Sequence, residues 1–258
     1  MLKTGWQRGQ RRFGKGVRRP ELAVAAQRVA RNMTARQVVD IMDKSAGWVS
    51  ARFTFDHRTD DLAKCDAAAR RVRCYLGAAG AFGGAATGIG GLAAAPADMV
   101  SSLLITAATA HATAAAYGFT ENTPRDRLIR LHAVDLALAR AGQSQFKKAA
   151  TTQTILSRVK LSDDNMASTM FNQAMQAILP GMIDNLISGV VTRSGGKVVP
   201  VVSAATGGIL GYQLQDRVWK AAAFTYRQRW LIERRVIAAP ADRQRVKMVK
   251  SGALPGAR

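Results

Sequence analysis

Residues 76–119 read LGAAGAFGGAATGIGGLAAAPADMVSSLLITAATAHATAAAYGF, and Asp98 is the only formal charge among them. Two apolar runs of roughly twenty residues flank the AAAPAD sequence, a length that meets the geometric requirement of a bilayer-spanning helix. The first run carries Gly80, Gly84 and Gly88 at four-residue spacing. On a helix that spacing lines one face and lets a second helix pack backbone to backbone. Ala and Gly enter lipid only weakly, and the second run is rich in Ser and Thr. Two readings therefore stand side by side: a hairpin buried in, or peripheral to, a helical core, and a hairpin inserted in a membrane.

Moving outward, residues 198–215 (VVPVVSAATGGILGYQLQ) form a further charge-free stretch, with Gly207 and Gly211 again four apart. Pro200 interrupts its β-branched run, which argues against a central strand. Apolar spacing predicts two short helices over 21–49, broken near Asn32 and Thr34, and a helix from Asp60 to about Leu76 with acids first and bases last. It predicts an amphipathic helix over 125–141, with Leu128, Leu131, Val134 and Leu138 on one face and Arg127, Arg130 and Arg140 toward the other. A linker-like stretch follows. A helix capped by Ser162 or Asp163 should end near Pro180, with another running to Val191. Gly195 and Gly196 mark a turn, and a long basic helix covers Asp216 to about Ile237. No repeat of about 20 to 50 residues is present. The fold class is all-α, a multi-helix bundle of closely packed, glycine-rich apolar helices or hairpins. Residues 1–20 read as a basic flexible arm, 21–237 as one helical domain and 238–258 as a basic tail.

The 258 residues hold 38 Lys and Arg against 17 Asp and Glu, a formal charge of +21, so an anionic partner is expected. Apolar residues make up 48% but aromatics only 6%, so the core must be built from small side chains. Arg8, Arg11, Arg12, Lys15, Arg18 and Arg19 in the arm, with Arg227, Arg229, Arg234 and Arg235 near the other end, are the candidate anionic-surface contacts. Tyr226 and Trp230 share a helical face and, with Trp219, are the candidate membrane-interface anchors. The plain alternative is a solvated basic surface. Phosphates of nucleic acid would use the same charges. Cys65 and Cys74 would fall on opposite faces of one helix, which excludes a bond between them. With no signal-peptide pattern, the expectation is an intracellular protein, peripheral to or inserted in the cytoplasmic membrane.

The run GLAAAPADMVSSLLITAATAHATAAAYGF, with Pro96, Asp98, Tyr117 and Gly118, resembles the central motif of the EcsC family. So does VVPVVSAATGGILGYQLQDRVWKAAAFTYRQR, a proline followed by a glycine-rich apolar helix and then a basic aromatic one. The resemblance covers roughly residues 30–235. It implies a helical, membrane-associated protein with no settled biochemical activity, named for a member encoded beside an ABC transporter. After the second glycine-rich stretch that family commonly has Asn where Tyr212 and Gln213 stand here, so no polar role is carried over to that place.

Chemistry is sparsely signalled. Asp98 reads as a helix N-cap following Pro96, or as a carboxylate facing a basic pocket. His57, His111 and His132 have no metal-ligand spacing, and no CxxC is present, so no metal or other cofactor is expected. The glycines lack the flanking strand and Lys-Ser/Thr of a phosphate loop. The first functional expectation is a non-enzymatic, membrane-associated helical protein that modulates or scaffolds a partner such as a transporter or secretion component. Its expected partners are anionic lipids and an integral membrane protein, with self-association a further option. The alternatives are a nucleic-acid-binding protein using the basic ends, and an enzyme acting on a lipid-like substrate.

Overall fold

The computed structural model describes residues 34–90, 95–138, 145–194 and 200–234. They form an all-α bundle: α1 (Ala35–Arg52), α2 (Leu62–Gly90), α3 (Ala95–Ala116), α4 (Pro124–Leu138), α5 (Gln145–Leu161), α6 (Asp164–Ser194) and α7 (Pro200–Glu233). No strand occurs among the described residues.

Local chemistry sets most of the helix starts. At α1 a capping box closes the first turn: Thr34 Oγ1 accepts from the Gln37 amide while Gln37 Oε1 accepts from the Thr34 amide at 2.9 Å. Asp61 caps α2 by accepting from the Ala63 and Lys64 amides, Thr123 caps α4 ahead of Pro124, and Asp163 caps α6 by accepting from Met166 N at 2.7 Å. Ser162 donates back to the Val159 carbonyl, so of the two candidate caps Asp163 serves. Helix α3 ends in a Schellman turn: Phe119 N donates to Ala114 O and Gly118 N to Ala115 O, with Gly118 at φ +88°. A side chain there is disfavoured by that φ and would also crowd Thr59 at 3.0 Å.

Several boundaries differ from expectation. Helix α2 does not stop near Leu76 but continues through the glycines to Gly90. Helix α6 runs without a break past Pro180, and the glycine-rich stretch after Pro200 and the basic aromatic helix are one element, α7. The linker-like stretch contains α5. In each case tertiary packing outweighs local propensity. Asp98 falls inside the first turn of α3, which begins at Ala95, and not at its cap. Its side chain, the first short helix of 21–49 and the Gly195–Gly196 turn lie outside the described residues.

The core is built from small side chains. Val38, Cys65, Ala68, Ala69, Leu103, Ala110, Ala114, Leu128 and Leu131 form one cluster, and Val49, Val72, Leu76, Ala108 and Ala112 a second. Helix α4 lies at the centre. Its Leu128, Ile129, Leu131, Ala133, Val134 and Leu136 are buried all round it, and so are Asp126, Arg130 and His132. Seven consecutive buried residues, 128–134, leave no solvent face on this stretch of helix, which corrects the expectation that Arg130 faces solvent. No helix among the described residues is long and apolar enough to cross a membrane.

Candidate functional site

Helices α2 and α7 run antiparallel in direct contact. A Cβ placed on Gly84 would lie 2.1 Å from Gly207 O, and one on Gly211 would lie 2.1 Å from Gly80 O. Further along, Arg73 Nε donates to Asp216 Oδ1 at 2.7 Å and Trp219 Nε1 to Ala69 O at 2.6 Å. The structure thus brings Gly80, Gly84, Gly207 and Gly211 together; Gly88 lies in the last turns of α2, and its surroundings are outside the described residues. Buried Gln215 crosses to α3, accepting from Thr109 Oγ1 at 2.9 Å.

This pairing gives the molecule two unlike ends. One comprises the end of α2, the start of α3 and the start of α7, where Asp98 is the single formal charge in residues 76–119 and none occurs in 198–215. Large apolar side chains nonetheless stand in solvent there: Phe82 is 78% exposed, Ile209 58%, and Val100 on α3 is exposed too. Below it, toward the middle of the bundle, come exposed Arg70, Arg71, Arg217 and Lys220, together with exposed Tyr75 and Tyr212. Asp216 is held below the usual carboxylate range: burial opposes this, but the bonds from Lys220 and Arg73 outweigh it.

At the other end the loop before α2, the α3–α4 turn and the end of α7 enclose a polar cleft of about 500 Å³, lined by Thr59, Phe119, Glu121, Asp126, Arg229 and Glu233 among others. Arg229 binds buried Asp126 Oδ1 at 2.5 Å and Glu233 Oε1 at 2.6 Å, and its guanidinium carbon lies 4.0 Å from the centre of the Phe119 ring. Beneath them Arg130 is buried with neutral acceptors only: His111 Nδ1 at 2.7 Å, Glu121 O at 3.2 Å and Asn122 Oδ1. Burial, then the Arg130 charge, lowers His111 to about 4, so its neutral ring accepts at Nδ1 and carries its proton on Nε2. Tyr117 donates to Asp66 Oδ1 at 2.5 Å, and burial together with that bond raises its pKa. His132 Nε2 and Thr152 Oγ1 are 3.1 Å apart, but both are buried. The polar groups of the cleft are thus engaged with one another. No cluster of three potential metal ligands exists among the described residues.

Three expected surface residues are corrected by their burial. Tyr226 is 1% exposed and Trp230 7%; they do share a face, but it packs into the core, with Trp230 Nε1 donating to Thr59 O at 2.7 Å. They are not interface anchors. Arg229 points inward to Asp126, not outward to an anionic surface. Trp219 is half-buried under Arg73, whose guanidinium carbon lies 5.0 Å from its ring centre. Arg227 is exposed and within 3.6 Å of Asp66, and Arg234 lies over Trp230 with a bond to Thr59 O. Arg8, Arg11, Arg12, Lys15, Arg18, Arg19 and Arg235 lie outside the described residues. The buried pair Asp126 and Arg130, and exposed Glu233 at the cleft, were missed. The sequence carries little signal for them, because α4 also holds Arg125 and Arg127, which stay partly exposed, and no local pattern separates these from buried Asp126 and Arg130.

An all-α bundle with a glycine-paired, charge-poor end and an ionic cleft opposite is the class that fold and site define. The chain belongs to the EcsC protein family, whose family model matches residues 24–231. No curated protein and no solved structure matches it.

Proposed function

We propose that the protein is a non-enzymatic helical adaptor that sits on anionic membranes by its charge-free end, with the cleft end held away from the bilayer. The observation that carries this reading is the solvent exposure of Phe82, Val100 and Ile209 on an end almost free of charge, bordered by Arg70, Arg71, Arg217 and Lys220. Burying a Phe or Ile side chain yields about 1.5–3 kcal/mol, and each cation near an anionic surface about 1 kcal/mol. The two contributions are comparable, so each should supply a separable part of the binding. Tyr75 and Tyr212 stand between the apolar end and the cations, the level at which aromatic side chains prefer the interface. From that position the protein would modulate or scaffold an integral membrane partner.

Vesicle flotation tests the reading. The chain should rise with anionic vesicles, less with neutral ones, and be weakened but not released by high salt. Replacing Phe82 and Ile209 by Ser should leave only salt-sensitive binding. Failure to float with anionic vesicles, or an unchanged double variant, refutes it.

A further inference from the structure

Helix α5 joins the bundle along one narrow face. It packs against α4 and α7, whereas α4 is enclosed by α3, α5, α6 and α7. Among the described side chains of α5, Thr152, Leu156, Ser157 and Val159 are buried, two of them polar, while Thr151, Thr154, Arg158 and Lys160 stand in solvent. Its own sequence does little to hold it. Thr151, Thr152, Thr154, Ile155 and Val159 are β-branched, which lowers helix propensity, and the first turn has no acid to meet the helix dipole. At 17 residues such a helix is marginal without its neighbours.

The face that α5 turns inward is also under-filled. A cavity of about 210 Å³ lies between α4, α5 and α7, with Ile129, Leu156, Val159 and Ile232 in its walls. Folded cores hold few voids larger than a water molecule, about 30 Å³ in the liquid, so these side chains forgo contacts that a filled interface would make. A hydrogen bond joins the middle of α5 to α4, between His132 Nε2 and Thr152 Oγ1 at 3.1 Å. The far end of α5 is gripped more firmly. Arg125 of α4 donates to the Ser162 carbonyl, and its Nε lies 3.4 Å from Asp164 Oδ1, so it holds the junction with α6 on both sides. Asp163 caps α6 at the same place.

We infer that α5 is a hinged strap, which lifts from α4 and α7 as one unit about the Ser162–Asp163 junction while the rest of the described bundle stays packed. Lifting parts Thr152 from His132 and uncovers the apolar walls of Ile129 and Ile232, both otherwise buried. An element with few buried apolar contacts opens at a lower free energy than the whole fold. Helix α4 is buried on every side over 128–134 and opens only with the bundle. The strap stands apart from the membrane reading, because α5 carries none of the residues assigned to lipid.

Native-state amide hydrogen exchange on the full chain, read residue by residue by NMR over a series of low urea concentrations, tests the inference. Amides 152–160 should share one opening equilibrium, at least about tenfold more frequent than that of 128–134, and less steeply dependent on urea because less surface is exposed. Thr152→Val keeps the shape of the side chain and leaves His132 Nε2 without its partner only while α5 is closed. It should therefore raise that opening about tenfold. Exchange of 152–160 less than about tenfold faster than 128–134, or graded inward from the helix ends as fraying would give, overturns the strap. So does an opening that Thr152→Val leaves unchanged. None of these outcomes bears on vesicle flotation.

Discussion

Replacing Gly84 by Ala tests the contact that organises the bundle. The added Cβ would sit 2.1 Å from Gly207 O and 2.8 Å from its carbonyl carbon, the first more than 1 Å inside ordinary van der Waals contact at about 3.5 Å. The atoms it meets are backbone, so no side chain can swing aside and the helices must separate. Forcing an extra methyl into a packed interface costs about 1–3 kcal/mol, and the rigidity on both sides puts this site at the upper end. Against that, Ala is favoured over Gly in a helix by about 1 kcal/mol. The net expectation is a loss of about 2 kcal/mol, which lowers Tm by roughly 4–8 °C for a chain of this size. Gly47, in α1, is the matched control: a Cβ there meets nothing within 4 Å. Gly47→Ala should stabilise by about 0.5–1 kcal/mol. Thermal unfolding followed by circular dichroism at the helical band reads both. If Gly84→Ala is as stable as the parent, or more so, α2 and α7 are not in backbone contact and the account of the charge-free end fails with it.

Burial lowers both His111 and His132 to about 4 from an ordinary value of 6.5. Between those two values the unfolded chain binds protons that the folded chain does not, so stability is full above pH 6.5 and falls as pH drops toward 4, on the order of a few kcal/mol. A urea midpoint measured from pH 7 to pH 4 should decline, less steeply in His132→Gln; a flat profile contradicts the buried neutral rings. Tyr226 Oη is buried without a hydrogen-bond partner. Tyr226→Phe should therefore be neutral or stabilise by up to about 1 kcal/mol, whereas a clear loss in Tm would reveal an acceptor bound beside the hydroxyl.

The helical class was legible because small residues at four-residue spacing have one economical use, close helix contact, and Gly80, Gly84, Gly207 and Gly211 stand in that contact here. Helix continuity was not. Pro180 and the glycines of α2 read locally as stops, but each of these helices is held by long neighbours over many turns, and a local breaker costs less than abandoning that packing. Orientation was the deeper loss. Tyr226, Trp230 and Arg229 have the periodicity of an interfacial helix, and periodicity places residues on a common face without saying whether core or lipid covers it. What decides the face is the surroundings of α7. Asp126 on α4 meets Arg229, the Thr59 carbonyl receives Trp230, and the Phe119 ring packs against Tyr226 at a centroid distance of 5.8 Å. All three partners lie more than a hundred residues away in sequence, so no local pattern carries them. The same argument moves the exposed aromatic and cationic residues that the proposed membrane contact would use from the end of α7 to its middle and to α2. There Tyr75, Tyr212, Arg70, Arg71 and Arg217 are exposed. They border the end where Phe82 and Ile209 are exposed with almost no charge beside them, the end that the proposed function assigns to lipid.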